Sequence, residues 1–187
     1  SSDEVTAACT EENRPPTLKT ECPDMVVFGE PTRLVAKGTD PDGDRLSYIW
    51  KRNGTVIDGA TGPVLETIVN RGDKLTVTVL DGRGGMSAET SVDCASGSRP
   101  KITVTCPANL SFGKEATFNA TVTDEDGDTV ENGGITVTWK VDGQVVKGTS
   151  GSSAKLTLKQ GQRVDVSAVD STGLSNAPME PISCKGI

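Results

Sequence analysis

The sequence predicts an all-β chain built as two successive β-sandwich domains. Three observations predict it. Short apolar–polar alternations are separated by Gly, Asn and Asp turns; no apolar run keeps a helical period for ten or more positions; and one order of motifs occurs twice. The 187 residues include 21 Gly and 10 Pro with only 3 % aromatics, a composition suited to many short strands and tight turns.

In the first copy the runs that read as strands are 17–21, 32–38, 46–52, 55–58, 64–69, 74–80 and 86–93. Leu75, Val77 and Val79 alternate with Thr76 and Thr78, which predicts one buried and one wet face. Val164, Val166 and Ala168 stand in the same relation to Asp165 and Ser167. Trp50 and Trp139 fall mid-strand and are predicted to fill the two cores rather than to stack on a ligand.

The duplication is read directly from matched residues. Thr20-Glu21-Cys22-Pro23 corresponds to Val104-Thr105-Cys106-Pro107, and Phe28-Gly29 to Phe112-Gly113. Asp40-Pro41-Asp42-Gly43-Asp44 corresponds to Asp124-Glu125-Asp126-Gly127-Asp128, and Trp50-Lys51 to Trp139-Lys140. Asp81 and Gly84 match Asp170 and Gly173, and Cys94 matches Cys184. From Cys to the first Asp is 18 residues in both copies (22 to 40, 106 to 124), and from Trp to the late Asp is 31 in both (50 to 81, 139 to 170). The Asp-to-Trp interval is 10 in one and 15 in the other, and the excess reads as a loop insertion at 130–134. The predicted domains are 13–95 and 96–187, each opened and closed by a cysteine.

Pairing Cys22 with Cys94 and Cys106 with Cys184 would tie the first strand to the last in each domain, which places the protein in an oxidising compartment: extracellular, at a cell surface, secreted or periplasmic. The competing reading is a set of free, buried cysteines in a cytosolic protein. Cys9 is left over. Its setting before Asn13-Arg14-Pro15 parallels that of Cys94 before Ser98-Arg99-Pro100, so residues 1–12 are expected to be the remnant and linker of an upstream repeat. An intermolecular disulfide or a reactive thiol is the other reading of Cys9.

The run from Asp40 through Tyr48-Ile49-Trp50, with Asn53-Gly54, Asp58-Gly59-Ala60-Thr61 and the closing Leu75–Leu80 strand before Asp81-Gly82-Arg83-Gly84, resembles the tandem PKD, cadherin-like and immunoglobulin-like repeats of large surface and secreted proteins, mostly bacterial. The resemblance covers nearly all of 14–187. It departs from the PKD pattern after the tryptophans, where Lys51-Arg52 and Lys140-Val141 stand, so immunoglobulin-like is the better label. The terminal cysteines are not a general feature of such repeats. The resemblance implies adhesion, spacing or accessory polymer binding, and no catalysis.

The acidic loops carry the candidate metal chemistry. Asp40, Asp42 and Asp44 alternate in one loop, Asp124, Asp126 and Asp128 in the other, and Asp81 and Asp170 are expected at the same ends of their domains. Alternating carboxylates around a Gly turn suit Ca²⁺, which takes six to eight oxygen ligands. Turn chemistry is the second reading, since Asp, Pro and Gly cap local backbone groups, with Arg14 and Arg99 neutralising the clusters. The sequence leaves both open. The loops lack the downstream Glu of an EF-hand, which removes that assignment.

Several function classes are disfavoured. The net charge of −7 argues against nucleic acid as a partner, and the absence of histidine removes the usual general base and zinc ligand. No apolar run approaches 18 residues, so no segment is predicted to insert in a membrane. Arg71-Gly72-Asp73 spells the integrin tripeptide on a predicted turn, but Gln160-Gly161-Gln162 holds that place in the second copy, which favours a plain connector. Asn53-Gly54-Thr55, Asn109-Leu110-Ser111 and Asn119-Ala120-Thr121 are glycosylation sequons, which matter in a eukaryotic secretory route alone. The expected role is a non-enzymatic stalk or adhesive segment of a larger surface protein. Its partners are other domains of that protein, an upstream repeat included, and a cell-surface or matrix ligand. The alternative is an accessory polysaccharide- or fibre-binding module of a secreted hydrolase, which needs a row of exposed aromatics.

Overall fold

The computed structural model describes residues 12–149 and 151–176. The chain divides into two compact units, Ser1–Ser96 and Gly97–Ile187. The described residues contain no helix, and none that could cross a membrane.

In the first unit β1 (Thr17–Glu21), β2 (Val26–Val27), β3 (Pro31–Thr39), β4 (Ser47–Arg52), β5 (Thr55–Val56), β6 (Val64–Ile68), β7 (Leu75–Leu80) and β8 (Thr90–Ser91) follow one another. They form a three-stranded sheet in the order β1-β3-β6 and a four-stranded sheet in the order β5-β4-β7-β8. Leu34 and Ala36 from the first sheet and Trp50, Val77 and Val79 from the second meet in one core, all at most 1 % exposed. Two sheets sharing one core are compatible with a β-sandwich. After the two-residue β9 (Ser96–Gly97) the second unit repeats the scheme with β10 (Lys101–Thr105), β11 (Glu115–Thr123), β12 (Thr136–Val141), β13 (Gln144–Val145), β14 (Ser153–Thr157) and β15 (Val164–Val169). Its sheets run β10-β11-β14 and β13-β12-β15, over a core of Phe118, Trp139, Leu158, Val164 and Ala168.

The pairing registers repeat as well. Thr17 faces Thr39 and Lys101 faces Thr123; Trp50 faces Val77 and Trp139 faces Val166. A register slip of one residue would turn every core side chain outward, so matching registers mean matching cores. The β4–β5 and β12–β13 hairpins turn on Asn53-Gly54 (φ 52° and 80°) and Asp142-Gly143 (φ 51° and 78°). Two successive positive φ values are what a two-residue type I′ turn demands, and Asn-Gly and Asp-Gly accept them most readily.

Cys22 and Cys94 form a disulfide with Cα atoms 5.5 Å apart and a sequence separation of 72. Beyond it, Val26 N–H donates to Ala95 O at 2.8 Å, drawing the chain after Cys94 alongside β2. Cys106 is also disulfide-bonded. Its predicted partner Cys184 lies outside the described residues, as do Cys9 and all but Glu12 of the predicted upstream remnant.

Three strand-level expectations need correction. The last strand, expected over 86–93, is reduced to β8 and an isolated Leu80–Met86 bridge. Between them Val79 N–H donates to the Ser87 hydroxyl at 3.0 Å, so a side chain takes the acceptor place a strand carbonyl would hold and the ladder breaks. Thr78, expected on a wet face, is 6 % exposed, because β7 is an inner strand with Ile49 opposite Thr78. Asp165 is 7 % exposed for a different reason: Arg163 Nε lies over it, donating at 2.7 Å.

Candidate metal centres

Both acidic loops leave the end of a long strand, β3 or β11, and turn back toward β4 or β12. In the first unit Asp40 Oδ1 accepts the N–H of Asp42 at 2.8 Å and of Asp44 at 3.0 Å, closing the turn as a backbone carbonyl would. The turn aims carboxylate oxygens of Asp40, Asp42 and Asp44 to within 4.8 Å of one another.

Guanidinium groups approach this cluster. Arg14 donates from Nε and Nη2 to Asp42 Oδ1 at 2.8 and 2.7 Å, and its backbone N–H donates to Oδ2 at 2.7 Å. These bonds, the backbone one foremost, hold Asp42 below the usual carboxylate range. Arg83, in the loop after β7, reaches Asp44 at 3.3 Å. Asp81 is drawn elsewhere. At 3 % exposure it accepts Asn13 Nδ2 on Oδ2 at 2.7 Å and the N–H groups of Arg83 and Gly85 on Oδ1 at 2.7 and 2.9 Å. Asn13 leads in keeping Asp81 ionised against its burial. A Cβ at Gly85 would collide with the Asp81 carboxylate and stand 3.0 Å from Asn13 Nδ2, so the Asn13–Asp81 bond requires glycine there.

The second unit assembles a different set from homologous positions. Asp124, Asp126 and Asp170 bring oxygens within 4.8 Å of one another. Asp124 Oδ1 accepts Asp126 N–H at 2.6 Å, and Asp126 Oδ2 accepts Ser98 N–H. Asp170, 7 % exposed, takes Thr172 N–H, Thr172 Oγ1–H and Leu174 N–H on Oδ1 at 2.8, 2.7 and 2.8 Å. Asp128 turns away: its Oδ2 accepts the N–H and hydroxyl of Ser171 at 3.1 and 2.6 Å. Burial pushes the Asp124 carboxyl up, and the charges of Asp126, Asp170 and Asp128 add to that rise.

The second oxygens of Asp124 and Asp170 are buried and accept no hydrogen bond. A buried carboxylate oxygen without a partner costs free energy that a bound cation would recover. In the first unit Asp40 Oδ2 and the neutral amide oxygen Asn13 Oδ1 are likewise without a partner. Oxygens that share one Ca²⁺ at 2.3–2.6 Å stand at most about 5 Å apart, so both groups meet the spacing. Three carboxylates fill about half of such a shell, the rest falling to second carboxylate oxygens, carbonyls or water.

Of the eight acidic residues singled out in sequence, six converge, while Asp81 and Asp128 are held by other partners. Asn13 and Arg83 were not recognised as members of the site. The signal for Arg83 is its mismatch with Thr172 when the copies are aligned. The integrin-like tripeptide is spent on its own turn. Asp73 accepts Asn70 N–H at 2.9 Å and Asn53 Nδ2 at 3.2 Å, while Arg71 covers the Phe28 ring at 5.0 Å.

No protein-family model matches the chain, and a search of the curated proteins finds no match.

Proposed function

We propose that the chain is a pair of immunoglobulin-like β-sandwich repeats, over 13–95 and 96–187, of an extracellular protein, serving as a non-enzymatic spacer or adhesive segment stabilised by Ca²⁺. The observation that carries this reading is repetition: the same order of the strands that both units share, the same registers about a buried tryptophan, and an acidic group at the corresponding loop of each copy. Such duplication suits a segment that extends or presents, since each copy completes its own core. The Cys22–Cys94 bond supports an oxidising compartment.

Catalysis by the carboxylates is disfavoured, because a glycosidase-type acid and base stand across a substrate at separations of roughly 5 Å or more, whereas these oxygens crowd within 4.8 Å inside turns. The accessory polymer-binding alternative lacks its aromatic platform. Trp50, Trp139 and Phe118 are 0 % exposed, Tyr48 is 7 % exposed, and Phe112, at 40 %, is the single exposed large aromatic among the described residues.

Two measurements test the reading. In a pulldown the protein is expected to stay in the supernatant above insoluble polysaccharides; retention there would favour the accessory class. Calorimetric melting in excess CaCl₂ is expected at a higher temperature than melting in chelator, since a ligand bound to the native state alone stabilises it. Identical melts would remove the metal from the proposal.

A further inference from the structure

We propose that the two acidic groups have diverged: the second unit takes one Ca²⁺ at Asp124, Asp126 and Asp170, while in the first unit the Arg83 guanidinium, paired with Asp44, supplies positive charge in place of the cation. This rests on the calcium reading above and goes beyond it by assigning one ion per chain, and to a particular unit.

Charge and satisfaction carry the argument together. The acidic loops are matched residue for residue, and Arg14 has its counterpart in Arg99. The difference lies after β7 and β15, where Asp81-Gly82-Arg83-Gly84 aligns with Asp170-Ser171-Thr172-Gly173. Arg83 spans from that loop to Asp44 at 3.3 Å, bringing a positive charge to the Asp40, Asp42 and Asp44 group. Thr172 brings none, and spends both its N–H and its hydroxyl on Asp170 Oδ1.

The second difference concerns the late aspartate. Asp81 Oδ2 is satisfied by the amide of Asn13, which holds it out of the first group. Ser98 holds the Asn13 position in the second copy, and there Asp170 joins the group with Oδ2 buried and without a partner. A carboxylate more than nine-tenths buried, fixed by three hydrogen bonds on one oxygen, unpartnered on the other and with an oxygen within 4.8 Å of two more carboxylates, has the chemistry of a cation ligand. In the first unit Asp44 is paired with Arg83, and a divalent ion would have to displace that guanidinium.

Isothermal titration of the full, chelator-stripped chain with CaCl₂ decides the matter. One site is expected. Asp170→Asn is expected to abolish the binding heat while keeping the fold, since the asparagine Oδ1 retains the three hydrogen bonds of the loop; far-UV circular dichroism checks that it folds. Thr172→Arg is expected to abolish the heat as well, and Arg83→Thr to add a second site. Two sites in the unaltered chain, a single site lost with Asp40→Asn but not with Asp170→Asn, or an Arg83→Thr chain still binding one ion would each overturn this inference and leave the calcium reading standing. No binding by the unaltered chain would overturn both.

Discussion

Replacing Cys22 and Cys94 together by alanine is expected to lower the unfolding free energy of the first unit by about 4 kcal/mol. The bond closes a stretch of 72 residues, nearly the whole unit, so its loss frees the denatured chain more than a short loop would. Few native contacts depend on it: Cys94 is half-buried at the edge of the core and Cys22 lies in an exposed segment after β1. The effect therefore acts through the unfolded state, and the folded register of β1 against β3 should survive. For a unit of this size a loss of about 4 kcal/mol takes a large share of a stability in the range of roughly 5–15 kcal/mol. Urea denaturation of the double variant against the oxidised parent measures it, with a shifted midpoint as the expected signature. A difference below about 1 kcal/mol would mean that the reduced chain is already constrained before it folds.

The acid side of the same unit has a defined direction. Asp42, Asp73, Asp81 and Glu89 are all held below their ordinary values by hydrogen bonds: from the Arg14 backbone, the Asn70 backbone, the Asn13 amide and Lys51 respectively. A carboxylate depressed in the folded state binds fewer protons there than in the unfolded one. Its stabilisation is fully present above the unfolded value, near 4, and is lost as pH falls through the lower folded value.

How far this architecture could be read beforehand differs from element to element. β1 falls where it was expected, and β3, β4, β6 and β7 within one or two residues, because each is a run of alternating residues bounded by Gly, Asn, Asp or Pro. β8 was not legible. Whether 86–93 pairs along its length depends on the Ser87 hydroxyl capturing Val79 N–H, a choice that leaves no trace in hydropathy. The candidate site shows the same division. Alternation marked Asp124 and Asp126, yet nothing local separates Asp128, which turns to Ser171, from Asp170, which joins the group. Likewise Asp81 and Asp170 match in sequence, and their fates part over residues 68 positions away in the one case: Asn13 is present to bond Asp81, and Ser98 stands in its place in the other copy.

Replacing either core tryptophan by alanine is expected to cost about 3–5 kcal/mol, with Trp139→Ala the more damaging. Both side chains are fully buried, and each donates its indole N–H to a carbonyl twelve residues on: Trp50 to Gly62 at 2.9 Å, Trp139 to Gly151 at 3.2 Å. Alanine therefore leaves both a cavity and an unbonded carbonyl. The inequality between them comes from β3 and β11. Trp139 meets Phe118 edge-on with ring centroids 6.5 Å apart, an arrangement that adds about 0.5–1.5 kcal/mol, whereas Leu34 occupies the Phe118 place in the first unit. Because each variant keeps one tryptophan, denaturation followed by fluorescence reports on the intact copy, while circular dichroism reports on both, so a transition seen by circular dichroism alone belongs to the altered one. Phenylalanine separates packing from the hydrogen bond: it fills most of the volume, so the cost should fall to about 1–3 kcal/mol, the share of the stranded carbonyl. The same pair of variants weighs the two functional readings. Rings at 0 % exposure have no face to offer a sugar, so Trp50→Phe and Trp139→Phe should change stability without changing retention on any polymer. A folded Trp→Phe variant that lost retention at undiminished stability would place that ring at a binding surface and return the accessory-module reading to first place.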